Sequence, residues 1–327
     1  MDNKLVFVIF LIMVAVLLYI YKLKEENKIQ NSTSKSLSKL YKNAKVVPYN
    51  NQSKFVIMSD CHRGVGNASD NFLKNQHLFF AALSDYYKKG FTYIELGDGD
   101  ELWENRSMEK IIEIHSNSLW LMSKFYRENR LYMIYGNHDI QKKNKKFVED
   151  NLSKYFCESS KEICPLFPGL EVYEGLILEN KDNKNQRIFL AHGHQGDLIN
   201  DKLAKLGGFL VRYVWRTLEI WGANDPTGAG TNFKKRNKVE RRLIKWVKEE
   251  NKLLIAGHTH RPVFPSIGEV SYFNDGSCVH PRCITALEIK EGTICLVKWT
   301  VMTRKDRTMY VERVVLEGPE RLEDYFK

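Results

Sequence analysis

The 327 residues are 43% hydrophobic and carry a formal charge of +10. That is apolar material for a large core in one or two domains, and the charge suits anionic partners such as phosphate esters, nucleic acid or an acidic membrane face without choosing among them. Six cysteines in so long a chain argue against a disulfide framework and for a reducing compartment, although Cys157/Cys164 and Cys278/Cys283 lie close enough in sequence to pair.

Residues 5–21 are seventeen positions without a charge, bracketed by Lys4 and Lys22, which is the short end of what spans a bilayer as a helix. The run is longer than a signal-peptide core and no small-x-small cleavage site follows it. Residues 1–24 are therefore expected to be an uncleaved, single-pass anchor in the cell membrane. Seven lysines from Lys22 to Lys45 against Glu25 and Glu26 place the bulk of the protein on the cytoplasmic side by the positive-inside tendency. Residues 25–51, rich in Ser, Lys and Asn with no sustained apolar face, read as a polar basic tether. The folded domain is then 52–327.

That domain opens with Lys54-Phe55-Val56-Ile57-Met58, which breaks into Ser59-Asp60-Cys61-His62-Arg63-Gly64. Asp60 and His62, two apart at a strand end, point their side chains the same way, with Cys61 toward the core. A helical stretch over 72–88 leads to a strand at 91–96 and then to Gly97-Asp98-Gly99-Asp100-Glu101-Leu102-Trp103. Three acids directly after a buried strand are costly unless something cationic neutralises them, and a divalent metal would. Residues 108–127 read as one amphipathic helix with His115 on its face. The next strand, 130–135, ends in Gly136-Asn137-His138-Asp139. Strand, helix, strand, helix, strand is the signature of an α/β domain, and such sheets bind ligands beyond the carboxyl ends of their strands.

Residues 141–154 are basic and read as helical. Strands at 172–178 and 188–191 follow, the second ending in His192-Gly193-His194. Either His192 or His194 could coordinate, and His192 is favoured because it lies nearer the strand end, as the other ligands do. An insert at about 198–250 is apolar and aromatic in its first half and basic in its second. It reads either as helices packed on the core with a solvated basic face or as a cap over the site, offering apolar surface to acyl chains and cations to phosphate. The strand Leu253-Leu254-Ile255-Ala256 then delivers Gly257-His258-Thr259-His260. Four β-rich runs at 270–274, 283–289, 294–301 and 310–316 read as a second sheet packed on the first.

Together the turns supply Asp60, His62, Asp98, Asn137, His192, His258 and His260. Imidazole and carboxylate ligands with no cysteine suit Mn, Fe or Zn, with manganese foremost. Seven ligands are too many for one ion and suit two sharing a carboxylate, roughly 3.5–4 Å apart. Asp98, in the middle turn of the first three, is the natural bridge.

The ordered set Asp-x-His, Gly-Asp, Gly-Asn-His-Asp, His-Gly and Gly-His-x-His resembles the calcineurin-like metallophosphoesterases. The resemblance implies a four-layer αββα sandwich of two mixed β-sheets flanked by helices, here with a helical cap insert and an N-terminal transmembrane helix. It implies one metal site of Asp60, His62, Asp98 and His260 and another of Asp98, Asn137, His192 and His258. By the same match His138 contacts the scissile phosphate or protonates the leaving group, steered by Glu101. Within the family, Gly97-Asp98-x-x-Glu101-x-Trp103, followed by His-Gly and an insert, is similar to the UDP-2,3-diacylglucosamine hydrolases, which split a pyrophosphate in a nucleotide-linked glycolipid at the membrane surface. Two positions depart from that group, which tends to have Arg where His138 stands and His-Gly-Asp where this chain has His192-Gly193-His194.

The expected reaction is attack on phosphorus by a hydroxide held between the two ions, with Arg63, Asn137 and His138 stabilising charge on the phosphate oxygens. Arg63, Asn137 and His194 are the candidate substrate contacts, and His138, Asp98 and Glu101 the candidate catalytic residues. The substrate class is a phosphodiester or pyrophosphate in a lipid-linked or nucleotide molecule. A phosphomonoesterase or protein phosphatase of the same fold and a non-catalytic scaffold are the alternatives. Nucleic acid is disfavoured because no strand interleaves aromatic and basic residues.

Overall fold

The computed structural model describes residues 3–196 and 233–326, with side chains described from residue 20 onward except at 23, 196 and 233–235. A five-stranded sheet runs in the order β1 (Lys45–Tyr49), β8 (Gly175–Asn180), β9 (Arg187–Ala191), β10 (Leu253–Ala256), β11 (Tyr272–Asn274). A seven-stranded sheet runs β14 (Met309–Arg321), β13 (Thr293–Thr303), β12 (Cys283–Lys290), β2 (Lys54–Met58), β3 (Thr92–Leu96), β4 (Leu131–Ile134), β7 (Val172–Tyr173). A separate hairpin pairs β5 (Lys154–Cys157) with β6 (Glu162–Pro165).

Period-two alternation within buried strands makes four layers. Phe55, Ile57, Ile94, Leu96, Ile188, Leu190, Leu253 and Ile255 fill the space between the sheets. Their neighbours Val56, Met58 and Tyr93 face α2 (Gln76–Lys88), α3 (Met108–Ile114) and α4 (Ser116–Arg127) on the outer side of the seven-stranded sheet. Phe189, Ala191, Leu254 and Ala256 face the opposite helical layer, made by α1 (Asn3–Asn43) and α6 (Phe233–Glu250). The short α5 (Lys145–Leu152) adds Val148 and Leu152 to the first of these layers.

Three expectations are corrected. Residues 25–51 are not a tether: α1 continues to Asn43, and β1 pairs in parallel with β8 at the sheet edge. Leu37, Leu40, Tyr41 and Ala44 recur at helical spacing and pack with Val239, Leu243, Trp246 and Val247 of α6, each buried side chain contributing about 1.5–3 kcal/mol. Trp246 donates to the Ser38 hydroxyl at 2.9 Å, and Lys238 pairs with Glu26 at 3.3 Å. The partner of that face lies two hundred residues downstream, so the segment alone looks unsupported.

The insert's basic half, as α6, is core packing on the outer face of the five-stranded sheet, whereas residues 197–232, which contain the apolar half, lie outside the described residues. The late strands do not form a sheet of their own. β12 pairs antiparallel with β2, extending the first sheet, while β11 joins β10 in the other. Finally, the helix expected over 108–127 breaks at His115, which is 1% exposed and bonded to the Asp70 carboxylate at 2.8 Å. Among the described residues no helix is long and apolar enough to cross a membrane. The side chains of residues 5–19, most of the expected anchor, lie outside the described set.

Candidate metal centre

β2, β3 and β4 in one sheet and β9 and β10 in the other all end on the same side of the molecule, and the turns that follow them meet there. Asp60, His62, Asp98, His258 and His260 each have φ between +49° and +67°. Left-handed backbone is costly for a residue with a Cβ and persists where surrounding structure holds it, so the strain is concentrated on the residues whose side chains converge. Gly136 is required by proximity, since a Cβ there would come 2.1 Å from Asp98 Oδ1.

The convergence is tight. Asp60 Oδ1 lies 3.0 Å from His260 Nε2 and 3.6 Å from His62 Nε2, and the two imidazole nitrogens are 3.3 Å apart. Asp98 Oδ2 lies 3.0 Å from His192 Nε2 and 4.0 Å from His62 Nε2. Three overlapping sets of potential ligand atoms result: Asp60, His62 and His260; Asp98, His192 and His258; and His62, Asp98 and His138. Asp98 is in two of them.

These side chains are held from behind so that one atom of each faces the shared space. His192 Nδ1 bonds the Leu96 carbonyl at 2.9 Å and His62 Nδ1 bonds Glu101 Oε2 at 2.9 Å, which leaves both Nε2 atoms forward. Metal-binding histidines are oriented in this way. Asp60 Oδ2 accepts from the Ser59 hydroxyl at 2.5 Å and from the His258 amide at 2.9 Å, leaving Oδ1 forward. Asp98 Oδ1 accepts the His138 amide at 2.8 Å.

Buried polar atoms nearly always find a partner, yet Asp60 Oδ1, both polar side-chain atoms of Asn137 and His192 Nε2 make no hydrogen bond. Asp60 Oδ1 and His192 Nε2 lie 4.0 Å apart, and with the unpartnered Asn137 amide in the turn after β4 they are the carboxylate, imidazole and amide donors that suit a divalent cation, so the residues fit the metals that the sequence implies.

Electrostatics point the same way. Burial raises the Asp60 carboxyl, but His260 and His192 outweigh it and hold the group well below its ordinary range. Burial lowers His192, yet Asp98 and Asp60 lift it to about 9. Burial and the charge on His192 push His258 well below the ordinary imidazole value.

Glu101 lies within 2.9 Å of His62 Nδ1 and 2.7 Å of His138 Nδ1, bridging the two rings. Burial raises its carboxyl, but His138 and His62 draw it down to about 2. The His138 ring stacks on Trp103 at 4.2 Å and retains 19% side-chain exposure, more than His62 or His192.

Arg63 is corrected. It is fully buried, with Nε on Asp100 Oδ1 at 2.7 Å and its two terminal nitrogens on Glu95 at 2.7 and 3.0 Å, so it does not face a substrate. Asp100 is corrected with it, since Arg63 and the Lys142 ammonium at 2.6 Å neutralise it in place of a metal. His194 is 2% exposed, its ring centroid 5.6 Å from that of His192 and outside the ligand sets. Burial and the His192 charge lower it to about 3.

Sequence reasoning missed three supports. Asp139 accepts the Gly136 amide at 2.7 Å and the Gly99 amide at 3.1 Å, and so ties the second and third turns together. Lys142 holds Asp139 at 2.8 Å. Glu240 of α6 accepts from Thr259 at 3.1 Å and pairs with Arg261 at 3.2 Å, bracing the last turn. Asp139 stood in a recognised motif, whereas Lys142 looked like one more lysine of a solvated helix.

A family model described as calcineurin-like phosphoesterase matches residues 53–262. Among curated proteins none matches the chain. Among solved structures the chain is similar to Vps29 of Chaetomium thermophilum, at 11% identity over 83% of this chain and 100% of that one with a TM-score of 0.36. It is also similar to wild-type Vps29 of Entamoeba histolytica complexed with zinc, at 14% identity over 81% and 99% with a TM-score of 0.31.

Proposed function

The chain belongs to the calcineurin-like phosphoesterase family, and from that premise we propose that it is a metal-dependent hydrolase of phosphodiester or pyrophosphate bonds. One observation carries the reading: buried ligand atoms of Asp60, Asn137 and His192 stand without hydrogen-bond partners, with His192 Nε2 3.0 Å from the Asp98 carboxylate and 4.0 Å from that of Asp60. Asp60, His62, Asp98 and His260 would hold one divalent ion and Asp98, Asn137, His192 and His258 the other, with manganese foremost and iron or zinc as alternatives. Bound ions supply Lewis acidity toward phosphate oxygens and a water-derived nucleophile near neutral pH.

The chain's own residues do the rest. Glu101 fixes His138 by Nδ1, which leaves Nε2 to hand a proton to the departing oxygen. In the metal-free chain burial lowers the His138 ring, but Glu101 and Asp98 outweigh it and raise it. Trp103 behind the ring keeps it from turning away.

The substrate we propose is a lipid-linked or nucleotide diphosphate, supported by the similarity of Gly97-Asp98-x-x-Glu101-x-Trp103 to the UDP-2,3-diacylglucosamine hydrolases. The setting we propose is the cytoplasmic face of the cell membrane, supported by the uncharged run at 5–21 and the lysines after it. The test compares a nucleotide-linked diphosphate, a bis-aryl phosphodiester and an aryl monoester with manganese present. Hydrolysis of the first two above the third is expected, and no turnover of any by protein holding two metals would overturn the proposal. His138→Ala should lower the rate about 10²- to 10³-fold while keeping both ions. Alkaline washing of membranes tests the anchor, which fails if the full chain is released.

A further inference from the structure

At the opposite end of the five-stranded sheet, a cavity of about 340 Å³ opens between the last turn of α1, the β8–β9 turn, the start of β10 and the C-terminal residues. That is the lower end of the size range of small-molecule sites. Lys184, Arg187 and Lys252 line it, with Tyr41 and Asn251 beside them, and among the described residues no carboxylate does. Glu179 neutralises Arg187 by an ion pair made outside the lining. No described acid pairs with Lys184 or Lys252, and Lys252 rests 5.2 Å above the Tyr41 ring. Arg187 Nε is buried and makes no hydrogen bond. Two ammonium groups without a carboxylate partner in one concavity repel one another and are relieved by an anion.

We propose that this cavity binds a small molecule through its phosphate group, with Lys184, Arg187 and Lys252 around the anion and the lining side chains of Asn251, Ser271 and Tyr325 left for the rest. It is a second site rather than part of the hydrolytic one. Arg187 opens β9 and His192 follows its end, so the length of the strand, about 15 Å, separates the two. The inference stands independently of the hydrolase reading.

The experiment is calorimetric titration of the full chain, stripped of metal with EDTA, using inorganic phosphate, AMP and adenosine as probes. One-to-one binding of AMP is expected, weaker binding of phosphate, and none of adenosine. Lys252→Glu and Lys184→Glu should each weaken AMP at least tenfold, with circular dichroism unchanged, and Asp98→Asn should leave it intact. Binding of phosphate without added affinity for AMP, still lost in both charge reversals, would support the anion site and narrow its ligand to the inorganic ion. Adenosine binding as well as AMP, affinity untouched by the charge reversals, or no heat at millimolar probe would each overturn the proposal.

Discussion

Asp98 and Asp100 stand two residues apart on one turn, both 1% exposed, and they belong to different regions of the molecule. Behind the turn, Asp100, Glu95 and Asp139 are met by Arg63 and Lys142 at 2.6 to 3.0 Å, two protein cations set against three carboxylates, of which Asp139 is raised by burial toward its neutral form. In front of it, the only charge-bearing partners of Asp98 and Asp60 among the described residues are histidines, and ligand atoms remain unsatisfied. Burial is equal in the two regions, so burial does not distinguish structure from site. The difference is whether the fold supplies the counter-charge itself or leaves that to something it binds.

Substitutions sharpen the contrast. Asp98→Asn should lower activity on the order of 10³-fold or more and cost at least one metal equivalent by elemental analysis, with little loss of fold. Full activity in that variant would dissolve the distinction.

Arg63→Met or Lys142→Met should do the reverse, destabilising the chain by about 3–5 kcal/mol in denaturant titration because a buried carboxylate loses its partner. Should either variant unfold like the parent, the rear set is not what holds the turns.

Glu101→Gln probes the residue touching both His62 and His138, and a loss of about 10- to 100-fold in metal affinity is expected.

Per unit of change, the smallest effect is on pH. In the metal-free chain the His192 group, lifted to about 9, holds a proton that a cation must displace. Metal affinity should therefore rise with pH, by up to about tenfold per unit below 9 for that one proton, and level off above it. A flat profile between pH 6 and 9 would show that His192 is not a ligand.

The ligand turns were legible because each is local. A buried strand and then an acid, amide or imidazole, preceded by glycine in three of the five turns, can be read within ten residues, and five such turns in order make the centre visible in the sequence. Arg63 was misread for the same reason. Next to Asp60 and His62 it looked like a phosphate contact, and nothing nearby in sequence reveals that Glu95 and Asp100 claim its guanidinium. Residues 25–51 were misread because the apolar face of Leu37, Leu40 and Tyr41 is narrow and its partner, α6, is distant in the chain.

The amino-acid sequence alone determined that strands alternate with helices in the first half, where the ligand-bearing strands end, and which metal-binding side chains stand at those ends, since all of these follow from local periodicity and turn chemistry, whereas the run expected as one strand over 172–178 is divided between the two sheets as β7 and β8. Tertiary structure alone decided which sheet β11 and β12 join, which acids receive a protein cation, and that the turns after β9 and β10 come to face those after β2, β3 and β4. Pairing partners and counter-charges are set by contacts between residues tens to hundreds of positions apart, and no local pattern encodes them.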